Sequence, residues 1–203
     1  VILITGCARS GTKYIAQLLQ NLGLDIQHEK MGRDGISSWW FAPKSHLRSK
    51  FSFDKVFHQV RHPLHQIKSC YQLGDRSGVM WRFIRDHAPI SSKESKLLQC
   101  AKYYYYWNTN IEKEAEFIFK IEEIDKVFKK LCKLSGIKHD KEILKSTPRN
   151  VNRSFPKSHN LLTLNNIITH DKNKALTWEE LKSEIGDEWC NKVRTLASKY
   201  SYK

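Results

Sequence analysis

The chain has 203 residues and a mass of 23.9 kDa, with 35 Lys and Arg against 21 Asp and Glu for a formal net charge of +14. A hydrophobic fraction of 40% and an aromatic fraction of 11% exclude collagen-like, low-complexity and disordered classes, and no apolar run approaches the ~20 residues a bilayer span needs. The basic balance calls for an anionic partner.

The size predicts one domain over residues 1–203. Val1-Ile2-Leu3-Ile4-Thr5 reads as a strand buried on both faces, ended by Gly6. A helix follows from Thr12, with Ile15, Leu18, Leu19 and Leu22 on one face and Gly23 at its C-cap. Leu24 to Ile26 reads as a second strand, running out to Gln27-His28-Glu29 and closing a right-handed crossover unit with the first. Residues 30–54 show no period and are expected to form a long functional loop with short helical pieces.

Lys55 to Val60 is the next strand, and Pro63 is a good first residue for a helix to about Leu73. Residues 74–93 are expected to be irregular, followed by a helix from about Lys93 to Glu114, a strand over 116–121 and a helix carrying Ile124, Val127, Phe128, Leu131 and Leu134. Residues 136–175 read mostly as loop. A terminal helix over about 177–200 places Leu181, Ile185, Trp189, Val193 and Leu196 on one face. The alternation of strand and helix predicts an α/β three-layer sandwich with a mostly parallel central sheet.

Cys7, Cys70, Cys100, Cys132 and Cys190 are scattered, with no CxxC pair, which fits reduced thiols and neither a disulfide framework nor a zinc site. With no secretory leader pattern, this favours a cytoplasmic location. The opening on Val1, in mid-strand, is compatible with further residues upstream, an anchor included.

Gly6-Cys7-Ala8-Arg9-Ser10-Gly11-Thr12-Lys13 lies between the first strand and the first helix. Orphan N–H groups and the positive end of the helix dipole suit that turn to a phosphate. The spacing nearly matches G-x-x-x-x-G-K-[ST], but Thr12 precedes Lys13, which turns the lysine by about 100° from the Walker position. Arg9 becomes the expected side-chain ligand, with Ser10, Gly11, Thr12 and Lys13 around it. A second anion site is expected where Arg61 closes a strand and Ser69 follows on the next helix, a guanidinium fork completed by a hydroxyl.

Together, Cys7-Ala8-Arg9-Ser10-Gly11-Thr12, Val60-Arg61-His62-Pro63 and Ser69 resemble the sulfotransferase superfamily that uses 3′-phosphoadenosine 5′-phosphosulfate (PAPS). The likeness is to its tyrosylprotein, carbohydrate and bacterial branches. It covers residues 1–135 and implies a P-loop NTPase-like sulfotransferase fold. It also implies that the first loop binds the 5′-phosphosulfate while Arg61 and Ser69 bind the 3′-phosphate. Ile121-Glu122-Glu123-Ile124 is similar to the family's R-Y-E-D-L element, with Lys120 where Arg is usual. Arg149 and Arg153 are further candidates for the 3′-phosphate.

The resemblance implies in-line sulfuryl transfer to a hydroxyl or amine, with PAPS as co-substrate and no metal. Arg9 would steady the charge on the leaving phosphate. Glu29, at the end of the second strand beside the loop, is the expected base, with His28 as the neighbouring alternative; strand alternation lets one of the two face the site. His46 and His58 are further candidates. Ser37-Ser38-Trp39-Trp40-Phe41 either lines an acceptor pocket or buries its loop, and both readings stand. Tyr103 to Trp107 and the Lys-rich stretches read as core packing and solvated faces. The acceptor stays open among carbohydrate, lipid, peptide and small phenol, and no nucleic-acid partner is expected. The alternatives are a P-loop nucleotide kinase or NTPase, and a non-enzymatic polyanion-binding module.

Overall fold

In the computed structural model, which describes residues 1–41, 45–73, 78–149 and 175–202, strands β1 (Ile2–Thr5), β2 (Ile26–His28), β3 (Gly35–Ser37), β4 (Lys55–Val60) and β5 (Phe117–Lys120) form one sheet. All its pairs are parallel, in the order β2-β3-β1-β4-β5. The described helices are α1 (Thr12–Asn21), α2 (His46–Ser49), α3 (Pro63–Tyr71), α4 (Gly78–His87), α5 (Lys96–Ile111), α6 (Ile124–Ser135), α7 (Lys141–Ser146) and α8 (Trp178–Lys199). They cover both faces of the sheet, the arrangement that a parallel sheet requires.

Strand alternation sorts the two faces. Ile2 and Ile4 of β1 pack with Ile15, Leu18 and Leu19 of α1 and with Phe128 and Leu131 of α6, while Leu3 turns to the opposite side with Ile36 and Val56. On that opposite side Val60 joins Leu64 and Ile67 of α3, Ile84 of α4, Tyr103, Tyr104 and Trp107 of α5, and Val193 of α8. Tyr103, Tyr104 and Trp107 are almost wholly buried, and large side chains of this kind each contribute roughly 1.5–3 kcal/mol from the apolar area they remove from water.

The helix ends follow their local chemistry. Pro63 opens α3, Ser95 accepts from Leu98 N–H to cap α5, and Thr177 with Glu180 forms a capping box on α8. The terminal helix bends at Gly186, whose backbone is non-helical. Leu181, Ile185, Val193 and Leu196 are buried on both sides of this kink.

The expected crossover from β1 through α1 to β2 joins two strands of the sheet that are not neighbours. β2 does not pair with β1; residues 35–37, expected to be loop, form β3 and lie between them. Gly35 permits this, since a Cβ there would stand 2.0 Å from the Ile2 carbonyl oxygen. Parallel neighbours ordinarily need a long crossover, but β2 and β3 have three residues each, so residues 29–34 suffice for the return.

Two helices also lie in stretches expected to be irregular. α4 occupies 78–87 with Met80, Trp81, Phe83 and Ile84 buried, and α7 is capped by Asp140, which accepts from the N–H groups of Glu142 and Ile143. No described helix is long and apolar enough to cross a membrane. Arg153 lies outside the described residues.

Candidate functional site

The loop between β1 and α1 lies tightly against β4. A Cβ at Gly6 would come within 2.1 Å of the Gln59 carbonyl oxygen, so only glycine admits this approach. Arg9 adopts φ 73°, a left-handed conformation that costs a non-glycine residue roughly 1–2 kcal/mol, and the surroundings hold it there. Three successive carbonyls are tied down by side chains: Gln66 Nε2 donates to Ala8 O at 2.9 Å, Arg61 Nη1 to Arg9 O at 2.8 Å, and Gln59 Nε2 to Ser10 O. Tyr103 Oη accepts the Ala8 N–H at 2.7 Å. These bonds occupy the carbonyl acceptors of Ala8, Arg9 and Ser10. α1 then starts at Thr12, with Gly11 as an N-cap that offers no side chain and with no acidic residue in the first turn.

The two basic stretches meet here. Arg9 Nε donates to Ser69 Oγ at 3.0 Å, and Arg61 reaches the Arg9 carbonyl from the end of β4. Burial lowers the pKa of both guanidiniums; Glu122 acts in the opposite direction on Arg61, and Arg9 adds a smaller lowering as a neighbouring like charge. Two partly desolvated cations side by side favour an anion between or beside them. The backbone that carries Arg61 is fixed in turn. Tyr104 Oη donates to Arg61 O at 3.3 Å, and Glu122 accepts from His62 N–H at 2.8 Å and from Tyr202 Oη at 2.7 Å.

Glu29 follows β2 with φ 58°, another left-handed residue. This reversal ends the strand alternation and corrects the expectation that only one of His28 and Glu29 faces the site, because His28 Nε2 stands 3.4 Å from Glu29 Oε1. The same His28 nitrogen lies 3.2 Å from Thr12 Oγ1, at the start of α1. Burial pushes the Glu29 carboxyl up to about 7, against the lowering effect of hydrogen bonds from Ser38 Oγ and the Trp39 N–H. Burial also lowers His28, with Lys13 adding to the effect.

Of the other expected residues, Ser10 in the loop and Thr12 at the start of α1 are buried, and Ser10 Oγ has no partner among the described residues. Lys13 is exposed on α1. His46 is exposed at the start of α2, while His58 is wholly buried 2.9 Å from Asn108 Oδ1 and is pushed down to about 4 by burial, a packing histidine under α5. Trp39 packs against Trp40, Phe83 and Trp107, and Trp107 Nε1 donates to its carbonyl, so the aromatic pair serves at least to anchor its loop. Arg149 pairs with Asp125 of α6, and Lys120 pairs with Glu123 at 2.8 Å.

Sequence reasoning missed the supports: Gln59, Gln66, Tyr103 and Tyr104. A signal existed in Gln59 and Gln66, polar residues at positions where the strand and helix periods call for apolar ones. A surface groove of about 600 Å³ between α5 and α8, lined by Tyr105, Glu112, Glu188, Lys192 and Lys199 among others, shares no residue with this cluster. Its charges satisfy one another, Lys199 with Glu112 at 2.7 Å and Lys192 with Glu188 at 2.6 Å. No protein-family model matches the chain, and no curated protein matches it.

Proposed function

We propose that this chain is a sulfotransferase that moves a sulfuryl group from PAPS to an acceptor hydroxyl or amine. The observation that carries the reading is the junction of Arg9, Arg61 and Ser69, in which residues far apart in sequence converge beside an uncapped helix N-terminus. The orphaned, buried Ser10 Oγ fits a ligand with phosphoryl oxygens. Arg9 and the start of α1 would hold the 5′ end of the nucleotide, and Arg61 with Ser69 the 3′-phosphate.

In the reaction the acceptor oxygen or nitrogen forms a bond to sulfur as the bond from sulfur to the bridging oxygen breaks. The electron pair leaves on the 5′-phosphate, and the acceptor proton passes to Glu29. The positive groups around Arg9 favour the charge that gathers on the leaving phosphate. A carboxyl with a pKa of about 7 suits a base working near neutrality. Exposed Lys13 argues against a kinase-type use of the loop, since a Walker lysine is directed into the phosphates.

Thermal-shift and calorimetric titration with 3′-phosphoadenosine 5′-phosphate, ATP–Mg²⁺ and heparin tests the reading. Stabilisation by the bisphosphate supports it. Stabilisation by ATP–Mg²⁺ without the bisphosphate would assign the loop to a kinase or NTPase, and a response to heparin alone would assign a polyanion-binding module.

A further inference from the structure

Residues 37 and 38 do two separate things at the end of β3. Ser37 Oγ donates to the Thr12 carbonyl at 2.8 Å and so ties the strand to the first residue of α1. Ser38, with no exposed surface, donates from Oγ to Glu29 Oε2 at 2.6 Å, and its own N–H is fixed to Ile4 O of β1 at 2.9 Å. The Trp40 N–H donates to the same Ser38 oxygen at 3.1 Å. A hydroxyl has one proton to give, and with the Trp40 N–H on its acceptor side that proton is directed to the carboxylate.

We propose that Ser38 is the positioning residue for Glu29: its hydroxyl sets the rotation of the carboxyl group. This assignment rests on the sulfotransferase reading. The geometry makes Ser38 more than a packing residue. Among the described residues it is the side chain that hydrogen-bonds to Glu29, while Oε1 makes no hydrogen bond and has His28 Nε2 at 3.4 Å. Loss of the Ser38 hydroxyl therefore leaves the carboxyl with the Trp39 N–H and the His28 ring as its polar neighbours. The titratable groups around it are His28 from β2, Lys13 from α1 through its effect on His28, and Tyr103 from α5.

The test needs no acceptor. Carbon-13 NMR titration follows the Glu29 carboxyl, assigned by its disappearance in Glu29→Gln, in the unaltered protein, Ser38→Ala and Ser37→Ala, alongside calorimetry with 3′-phosphoadenosine 5′-phosphate. A hydrogen bond to the charged form lowers a carboxyl pKa, so Ser38→Ala is expected to raise the midpoint by about one pH unit with bisphosphate affinity kept within about two-fold. Ser37→Ala, which deletes an equal hydroxyl one residue away, is expected to leave the Glu29 midpoint in place. Should Ser38→Ala fail to fold, Ser38→Cys, nearly isosteric and a weaker donor, is expected to raise it by a smaller amount. An unmoved midpoint, or an equal shift in Ser37→Ala, overturns the role of Ser38 while bisphosphate binding stands. Failure of the unaltered protein to bind the bisphosphate overturns the sulfotransferase reading and, with it, this assignment.

Discussion

Arg9 Nε donates to Ser69 Oγ at 3.0 Å, joining the loop that precedes α1 to a helix that begins more than fifty residues later. The contact makes one cluster of what the chain carries as two separate basic stretches, because α3 folds back beside the β1–α1 loop. Arg61 completes it by donating to the carbonyl of Arg9 itself.

Arg9→Ala and Arg61→Ala are each expected to weaken 3′-phosphoadenosine 5′-phosphate binding by roughly 10- to 100-fold, the range of one lost charge-assisted hydrogen bond. Calorimetry on the folded variants reads this directly. Arg61→Ala also removes the hydrogen bond to the Arg9 carbonyl, so its effect should equal or exceed that of Arg9→Ala. Wild-type affinity in both variants would remove the cluster from the binding site.

Glu29→Gln keeps the shape of the side chain and an oxygen for the Ser38 hydroxyl, and removes the proton acceptor. Bisphosphate affinity should stay within about two-fold while PAPS turnover, read as release of the bisphosphate, falls by about 10²–10⁴. Unchanged turnover would remove Glu29 as the base.

The same carboxyl and His58 give stability two opposing pH dependences. Glu29 is held at about 7, above its ordinary 4.5, so the folded protein keeps a proton that the unfolded chain has lost. Stability should therefore fall as pH rises through that window, by roughly 3 kcal/mol for a shift of this size. His58 is pushed down to about 4 from 6.5, so the unfolded chain takes up the proton first and stability should fall as pH drops through 6.5 towards 4. Urea unfolding across pH 4–8 separates the two. Glu29→Gln should gain on the wild type above pH 7 and not at pH 4, and His58→Gln should lose the acid-side decline.

Tyr103→Phe removes the acceptor of the buried Ala8 N–H. An unpaired buried donor costs about 1–3 kcal/mol, which a denaturant midpoint measures. The loosened loop should also bind the bisphosphate several-fold more weakly.

Much of the fold was legible because its elements carry strong periods. β1 is an unbroken apolar run, α1, α6 and α8 present regular apolar faces, and Pro63 marks a helix start. β3 was not legible. Gly35-Ile36-Ser37 is too short to show alternation and is buried throughout, so neither period is visible in it. α4 was obscured by Gly74, Gly78 and Pro89 around it, although Met80, Trp81, Phe83 and Ile84 follow a helical spacing.

For the candidate site, the chain alone nominated Arg9, Arg61, Ser69 and Glu29, since glycine spacing, a strand-ending arginine with a hydroxyl on the next helix, and a strand-ending carboxylate are local features. Their mutual placement depends on contacts between distant segments: Gln59, Gln66 and Tyr103 pinning the loop, Glu122 bracing the His62 turn, and Ser38 holding Glu29. His28 and Glu29 came to share one space because the backbone at Glu29 turns left-handed, which strand alternation does not anticipate. Hydrogen bonds of that kind form between surfaces brought together by packing, so no local pattern announces them.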